Sequence, residues 1–154
     1  MKAYLSGAME NAVNGGADWR RDISEWLNTN LGHDAIDPVR ETQKLVAKYG
    51  AQDYRNWKTD TPDKFQEFIR KLIINDLNLI KEKADYLICH WNYDVLKGGG
   101  THGEVTMAFS QGIPVYLIND LALEDLSGWI FACSSEVYEN MEQLKAGLID
   151  KYGK

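Results

Sequence analysis

Cysteine, histidine and proline are scarce in this chain, and any run of basic residues is missing. Two cysteines among 154 residues are too few for a disulfide scaffold, and with three histidines they show no zinc-ligand spacing. Cys89 and Cys133 have neither metal-ligand nor redox spacing and sit in apolar company, which predicts two buried, reduced thiols. His33, His90 and His102 are scattered, so neither a metal nor another cofactor is expected. No apolar stretch approaches the ~20 residues of a membrane span. The opening MKAYLSGAM lacks the charged, apolar and cleavage-site succession of a secretory signal. The expectation is a cytoplasmic protein without membrane contact. Lys and Arg number 17 against 23 Asp and Glu, a net charge of −6, and they form no stripe. Binding a phosphate polymer needs clustered cations, so a nucleic-acid polymer is not the expected partner, while a small ligand stays open.

Internal repeats, low-complexity tracts and linkers are absent as well, which suits one domain over residues 1–154. Ala3–Ser6 reads as a short buried strand ending at Gly7. After a Gly/Asn-rich loop (Asn11 to Gly16), Asp18 is placed to cap a helix whose apolar face carries Trp19, Ile23, Trp26 and Leu27. A strand over Ala35–Asp37 runs into Pro38, a helix over Glu41–Lys48 follows, and Tyr49 to Asp60 is polar with aromatics. Thr61-Pro62 opens a long helix running to about Lys83. Tyr86–Trp91 reads as a strand, Lys97–Gly100 as a glycine loop, Thr101–Gln111 as a helix and Pro114–Ile118 as a strand. A helical stretch near Leu123–Phe131, a strand near Glu136–Tyr138 and a last helix from about Asn140 complete the chain. Strands alternating with helices predict an α/β fold, a flavodoxin-like open and mostly parallel five-stranded sheet with helices on both faces. Ligands in such sheets bind beyond the carboxyl ends of the strands. The loops after Ser6 and Trp91 and the glycine loop before Thr101 therefore share one cleft.

Three features carry chemistry. Glycines in Lys97-Gly98-Gly99-Gly100-Thr101-His102-Gly103-Glu104 let a ligand approach the backbone, and the helix start favours an anion. Glu104 falls at the cleft. Thr101-x-x-Glu104 is equally a capping box, in which the glutamate only reaches back to the cap N–H. The run is not a Walker A loop, since no Gly-Lys-Ser/Thr follows. Asp76 interrupts an apolar stripe of Phe65, Ile69, Leu72 and Ile80 on the long helix. A carboxylate there is either paired or neutralised by a raised pKa, and a protonated Asp suits general-acid work. The alternative is an aspartate bonded to a neighbouring loop. Tyr4, on the first strand, is placed either to orient a carboxylate or to serve as a core tyrosine with its hydroxyl satisfied.

Asn75-Asp76-Leu77-Asn78-x-Ile80-Lys81, Ala84-Asp85, Gly100-x-x-x-Glu104-x-x-x-Ala108 and Pro114-Val115, with Tyr4-Leu5-x-Gly7 at the start, resemble the nucleoside 2-deoxyribosyltransferase family. The resemblance implies a flavodoxin-like fold and a homo-oligomer whose sites borrow residues from a neighbouring subunit. It assigns Glu104 as nucleophile, Asp76 as the residue handling the base's proton, and Tyr4 as the residue orienting the nucleophile. The implied reaction is a double displacement at C1′ of a nucleoside or nucleotide. Two departures bear on the substrate. Gly98 stands where the transferases carry an aspartate for the sugar's 5′-hydroxyl, with Asp94 nearby as a substitute. The related 2′-deoxynucleoside 5′-phosphate N-hydrolases place a serine and an arginine where this chain has Ala8 and Glu10. The asparagine that the family lends from a neighbour falls around Ser134-Ser135-Glu136. Gly-Thr-x-x-Glu is also similar to the phosphoribohydrolases that release adenine-type bases.

The candidate substrate contacts are thus Gly7, Gly98, Gly100, Thr101, Asp94, Trp91, Ser135 and Glu136. Trp91, Tyr93, Tyr54 and Trp57 lie in or near predicted loops and either stack on a base or pin those loops to the core. His102 reads as a polar loop histidine, and Asp85 as structural at the edge opposite the cleft. The favoured function is cleavage or transfer at an N-glycosidic bond, with a 5′-monophosphate N-hydrolase as the alternative. A nucleotide-binding sensor without turnover and a flavodoxin-like interaction module are readings of other classes.

Overall fold

The central strands carry nearly continuous apolar sequence because helices cover both of their faces. The computed structural model describes residues 1–153. Its strands are β1 (Lys2–Gly7), β2 (Asp34–Ile36), β3 (Tyr86–Trp91), β4 (Val115–Asn119) and β5 (Glu136–Tyr138). Its helices are α1 (Ala17–Leu31), α2 (Pro38–Tyr49), α3 (Trp57–Asp60), α4 (Pro62–Lys83), α5 (Gly100–Ser110), α6 (Gly128–Cys133) and α7 (Met141–Tyr152). The strands form one sheet in the order β2-β1-β3-β4-β5, and each neighbouring pair is parallel. That is the flavodoxin-like order, and the sheet is wholly rather than mostly parallel.

Side-chain alternation divides the core in two. Tyr4, Leu87, Cys89, Trp91, Val115 and Leu117 face Ile80 of α4, Val105 and Ala108 of α5, and Ile130 of α6. Ala3, Leu5, Ile88, Tyr116 and Ile118 face Ile23 and Leu27 of α1 and Leu144 and Leu148 of α7. A smaller cluster joins Ala51, Phe68 and Leu72 to Leu45, Val46, Tyr54 and Trp57. Rings of Tyr54 and Trp57 lie 5.1 and 6.1 Å from that of Phe68, so these aromatics pin the polar stretch onto α4. Cys89 and Cys133 are both free and buried.

Helix ends follow local chemistry. Asp37 caps α2 by accepting from Val39 N at 2.9 Å, with Pro38 in the first turn. Pro62 opens α4, and Lys81 and Lys83 sit in its last turn against the negative end of the helix dipole. Gly32 and Gly50 close α1 and α2 in the left-handed conformation. Asp18 does not cap α1. Gly16 takes that position at φ 72°, and Asp18 lies in the first turn, accepting from the Asn14 amide at 3.2 Å. The helical stretch expected near Leu123–Phe131 is broken at Leu126 and Ser127, both extended, into a 3-10 turn (Leu123–Asp125) and α6. A further 3-10 turn, Tyr93–Lys97, is nucleated by Asn92, whose side chain accepts from Asp94 N and Val95 N. Asp85 lies at the amino edge of the sheet, accepting from Lys2 N at 2.6 Å, as its structural role predicts.

No helix among the described residues is long and apolar enough to cross a membrane. Leu117 in β4 is fully buried beneath α5 and α6. Leu117→Ala should lower unfolding stability by roughly 2–5 kcal/mol. Urea denaturation checks this, and a loss well below that range would contradict the packing described.

Candidate active site

The capping box suggested by Thr101-x-x-Glu104 does not form. Gly99 occupies the cap position of α5 and makes no side-chain bond there, so Thr101 is already inside the helix. Released from that duty, the Glu104 side chain turns to the carboxyl half of β1. Its Oε1 accepts from the Tyr4 hydroxyl at 2.9 Å, and its Oε2 accepts a short bond from the Ser6 hydroxyl. Tyr4 and Ser6 are two apart on a strand, so both side chains leave the sheet on one face. Each is fully buried.

Beside this carboxylate lies a cavity of about 220 Å³ at the carboxyl ends of β1 and β3. Its walls include Gly7, Asp94, Gly98, Gly100, Thr101, Glu104 and Asp76, with Phe65, Ile69 and Leu72 from the same stripe of α4 as Asp76. One cavity thus gathers seven of the sequence-derived candidates. Tyr4 acts on it through Glu104. A second, apolar cavity of about 740 Å³ shares Asp76, Gly99, Gly100 and Glu104 with the first and is otherwise lined by residues such as Ile73, Leu77, Met107 and Trp129.

Trp91 does not join them, and Ser135 and Glu136, which the resemblance assigns to a neighbour's site, lie away from the cleft of their own chain. Trp91 ends β3 inside the core with no exposed surface, and its ring meets the edge of His102 at 4.7 Å. Its side chain leaves the strand on the face packed beneath the helices, with Leu87 and Cys89, rather than toward the cleft. Ser135 and Glu136 lie where β5 begins, at the amino edge of the sheet, remote from the carboxyl-end cleft. Ser135 Oγ accepts from Val115 N at 3.0 Å, and Glu136 is engaged by Tyr138 and Lys151. Ser6 was passed over in the sequence, although two hydroxyl residues spaced two apart in an otherwise apolar strand are the signal for it.

The two carboxyl groups are electrostatically unequal. Burial drives Asp76 from the ordinary value near 3.8 up to about 7, and the Glu104 charge adds to this. Its one side-chain donor, the Asn75 amide, is 3.4 Å away. Burial also raises Glu104, but the Ser6 and Tyr4 hydroxyls and the Arg20 charge oppose it. Donors to a carboxylate favour its ionised form, so a proton shared by this pair resides on Asp76. Tyr4 is held well above its usual pKa by burial and then by Glu104, so it remains a donor. Among the described residues no group of three His, Cys, Asp or Glu side chains is arranged to hold a metal. His90 instead pairs with Asp120 at 2.7 Å, and His33 with the Tyr86 hydroxyl at 2.9 Å.

Fold and site together define a flavodoxin-like α/β protein with a carboxylate pair at its carboxyl-end cleft. No protein-family model and no curated protein sequence matches the chain. Among solved structures it is similar to a CMP N-glycosidase of Clostridium botulinum, BcmB, at 17% identity over 96% of this chain and 98% of that one, with a TM-score of 0.49. A likeness at that distance says nothing about the site.

A raised Asp76 makes the fold pH-dependent. The native state binds its proton more tightly than the unfolded chain, so this stabilisation is complete below about pH 4 and is lost as pH rises through about 7. Asp76→Asn should therefore gain stability relative to the parent as pH rises from about 4 to about 7, and keep that gain at higher pH. Parallel denaturation series check the trend, and a parent whose stability climbs over that interval at this residue's expense would contradict it. Stabilisation by Asp76→Asn thus follows from burial alone and does not argue for a non-catalytic module.

Proposed function

We propose that the protein breaks the N-glycosidic bond of a nucleoside or nucleotide, with Glu104 as nucleophile and Asp76 as the proton donor to the leaving base. The observation that carries this reading is the release of Glu104 from its own helix cap onto Tyr4 and Ser6, beside a cavity that also holds a protonatable Asp76. The sequence resemblance to nucleoside 2-deoxyribosyltransferases assigns Glu104, Asp76 and Tyr4 the same roles. One Glu104 oxygen attacks C1′ as the C1′–N bond breaks, and the bond's electron pair goes to the base nitrogen, which takes the Asp76 proton. Tyr4 and Ser6 hold the attacking group in place. Water or a second base then attacks C1′ and loses its proton to Asp76, and Glu104 leaves as a carboxylate.

The substrate's 5′ position is read by Asp94, which lies on the cavity wall with Lys97 at 2.9 Å. A carboxylate there accepts a hydrogen bond from a sugar hydroxyl, which favours a nucleoside and supports Asp94 as the substitute for the aspartate that Gly98 replaces, although Lys97 partly offsets its charge toward a phosphate. The alternative, a 5′-monophosphate hydrolase, draws on Arg55 and the glycine loop of the same cavity, although Arg55 is partly offset by Glu10 at 3.9 Å.

The resemblance also implies a homo-oligomer. In support, Ile73, Ile74, Phe109, Trp129 and Phe131 are exposed, and Ile73 and Trp129 line the apolar cavity adjoining the site. The protein is read as one cytoplasmic domain.

Incubation with a panel of nucleosides and their 5′-phosphates, with and without a spare base, followed by chromatography, tests the reaction. Base release or exchange is expected, and Glu104→Ala should reduce it by at least about a thousandfold with the fold retained. Activity retained by that variant, or no release from any substrate, would sink the reading. Because Asp76 acts as an acid, kcat/KM for base release should fall as pH rises through about 7. A flat profile from pH 5 to pH 9 (roughly two units either side of that value) would remove Asp76 from the role. Trp129→Glu should break the oligomer, read by sedimentation; a parent that is already monomeric would overturn that part.

A further inference from the structure

Arg20 lies in α1 with no exposed surface, a costly place for a guanidinium unless its donors are met. Its partners are backbone carbonyls. Nε donates to Leu5 O at 3.1 Å, Nη2 to Gly7 O at 2.9 Å and Nη1 to Gly16 O at 2.9 Å. Ala8 O and Gly15 O accept from Nη1 at 3.4 Å each. The Asp37 carboxylate stands 3.8 Å from Nε and offsets the charge.

The sheet explains why those carbonyls need a partner. Met1 O accepts from Asp34 N on the β2 side, and Lys2 O accepts from Asp85 N on the β3 side. Carbonyl direction alternates along a strand, so Leu5 O and Gly7 O face the β2 side. There β2 has stopped, its last paired residue being Ile36 opposite Tyr4. Arg20 takes the place of the strand that is missing. Asn14, Gly15 and Gly16 all have positive φ, and the turn they make brings two more carbonyls to the same guanidinium. A Cβ on Gly16 would meet Ala8 O and Arg20 Nη1 at 2.5 Å, so this position accepts only glycine.

The loop held in this way is a wall of the cavity, through Gly7, Ala8, Met9, Glu10 and Asn11. We propose that Arg20 is the positioning residue of this site: it clamps the loop between β1 and α1 as a fixed wall and sets a permanent positive charge at the end of the strand that holds Glu104. The role rests on the glycosidic reading. The ionisable groups acting on Arg20 are Asp37, Glu104, Tyr4 on β1 and Cys89 on β3, and those around Glu104 are Tyr4, Asp76 on α4, Cys89 and Arg20 itself. Arg20 is the cation among the groups around Glu104. A guanidinium stays charged at all working pH values, and its geometry reaches more carbonyls than an ammonium can.

Arg20→Lys and Arg20→Gln separate the two parts of this role. Arg20→Lys keeps the charge and loses most of the clamp. Its KM should rise by about tenfold or more while the acid limb of its kcat profile stays in place. Arg20→Gln loses the charge as well. Glu104 then takes up its proton more readily, and the acid limb should move to higher pH. Amide hydrogen exchange over residues 8–16 should quicken in both variants, with the far half of α1 unchanged. Parent-like KM, acid limb and exchange in a folded Arg20→Gln would overturn the proposal. If Arg20→Gln does not fold, Arg20→Lys decides: unchanged KM and unchanged exchange would overturn it, and raised KM with faster exchange would support it. The exchange measurement needs no substrate. A parent that released no base would refute the glycosidic reading, while the clamp would still be judged by exchange alone.

Discussion

Burying a carboxylate is unfavourable unless donors meet it, and the cleft of this protein is organised around the two hydroxyls that meet Glu104. Tyr4 and Ser6 supply those donors from the central strand, and α5 supplies the acid from a helix whose cap is a glycine. Had Thr101 taken the cap, the first turn would have drawn Glu104 back on itself. With a glycine there, the side chain is bound by the sheet, and helix and strand are fixed to each other at the site. Asp76, with a weak donor and an ionised neighbour, then keeps the proton that the pair can hold.

The parallel sheet determines where this happens. All five strands point the same way, so their connections to the following helices gather at one end, and the cavity lies among them. The shortness of β2 has a further effect. It leaves carbonyls of β1 exposed to the interior, and a buried arginine from α1 satisfies them and the adjoining loop together. The same wall is closed elsewhere by Tyr54, which packs on Phe68 and lines the cavity. Polar and aromatic residues that look like a loose insertion are thereby tied to α4.

Much of the site was readable before folding because its residues break a pattern. Asp76 interrupts an apolar helical stripe, Glu104 follows a glycine run at a strand-to-helix turn, and Tyr4 lies in a strand of otherwise small and apolar residues. Asp94 was singled out by its nearness to Gly98 and does line the cavity. Ser6 was missed because a serine at a strand end resembles the start of a loop. Arg20 was missed because its neighbours Asp18, Arg21 and Asp22 make it look like part of a solvated helix face, and its burial depends on a strand ending elsewhere. Trp91 was expected at the cleft although its strand position was read correctly, since an aromatic at a strand's end is compatible with core or cleft. Ser135 and Glu136 lie at the sheet's amino edge, away from the cleft of their own chain, and the resemblance assigns them to the site of a neighbouring subunit.

The order of strands and helices, the apolar stripes and the candidacy of Glu104, Asp76 and Tyr4 were determined by the sequence, because periodicity and turn chemistry act over a few residues. The choice between a capping Glu104 and an inward one, the proton on Asp76, and the burial of Arg20 were decided only by tertiary structure. Each depends on groups far apart in the chain, Tyr4 and Ser6 against Glu104, or Arg20 against the end of β2, and the energy of a buried charge is set by what surrounds it in space.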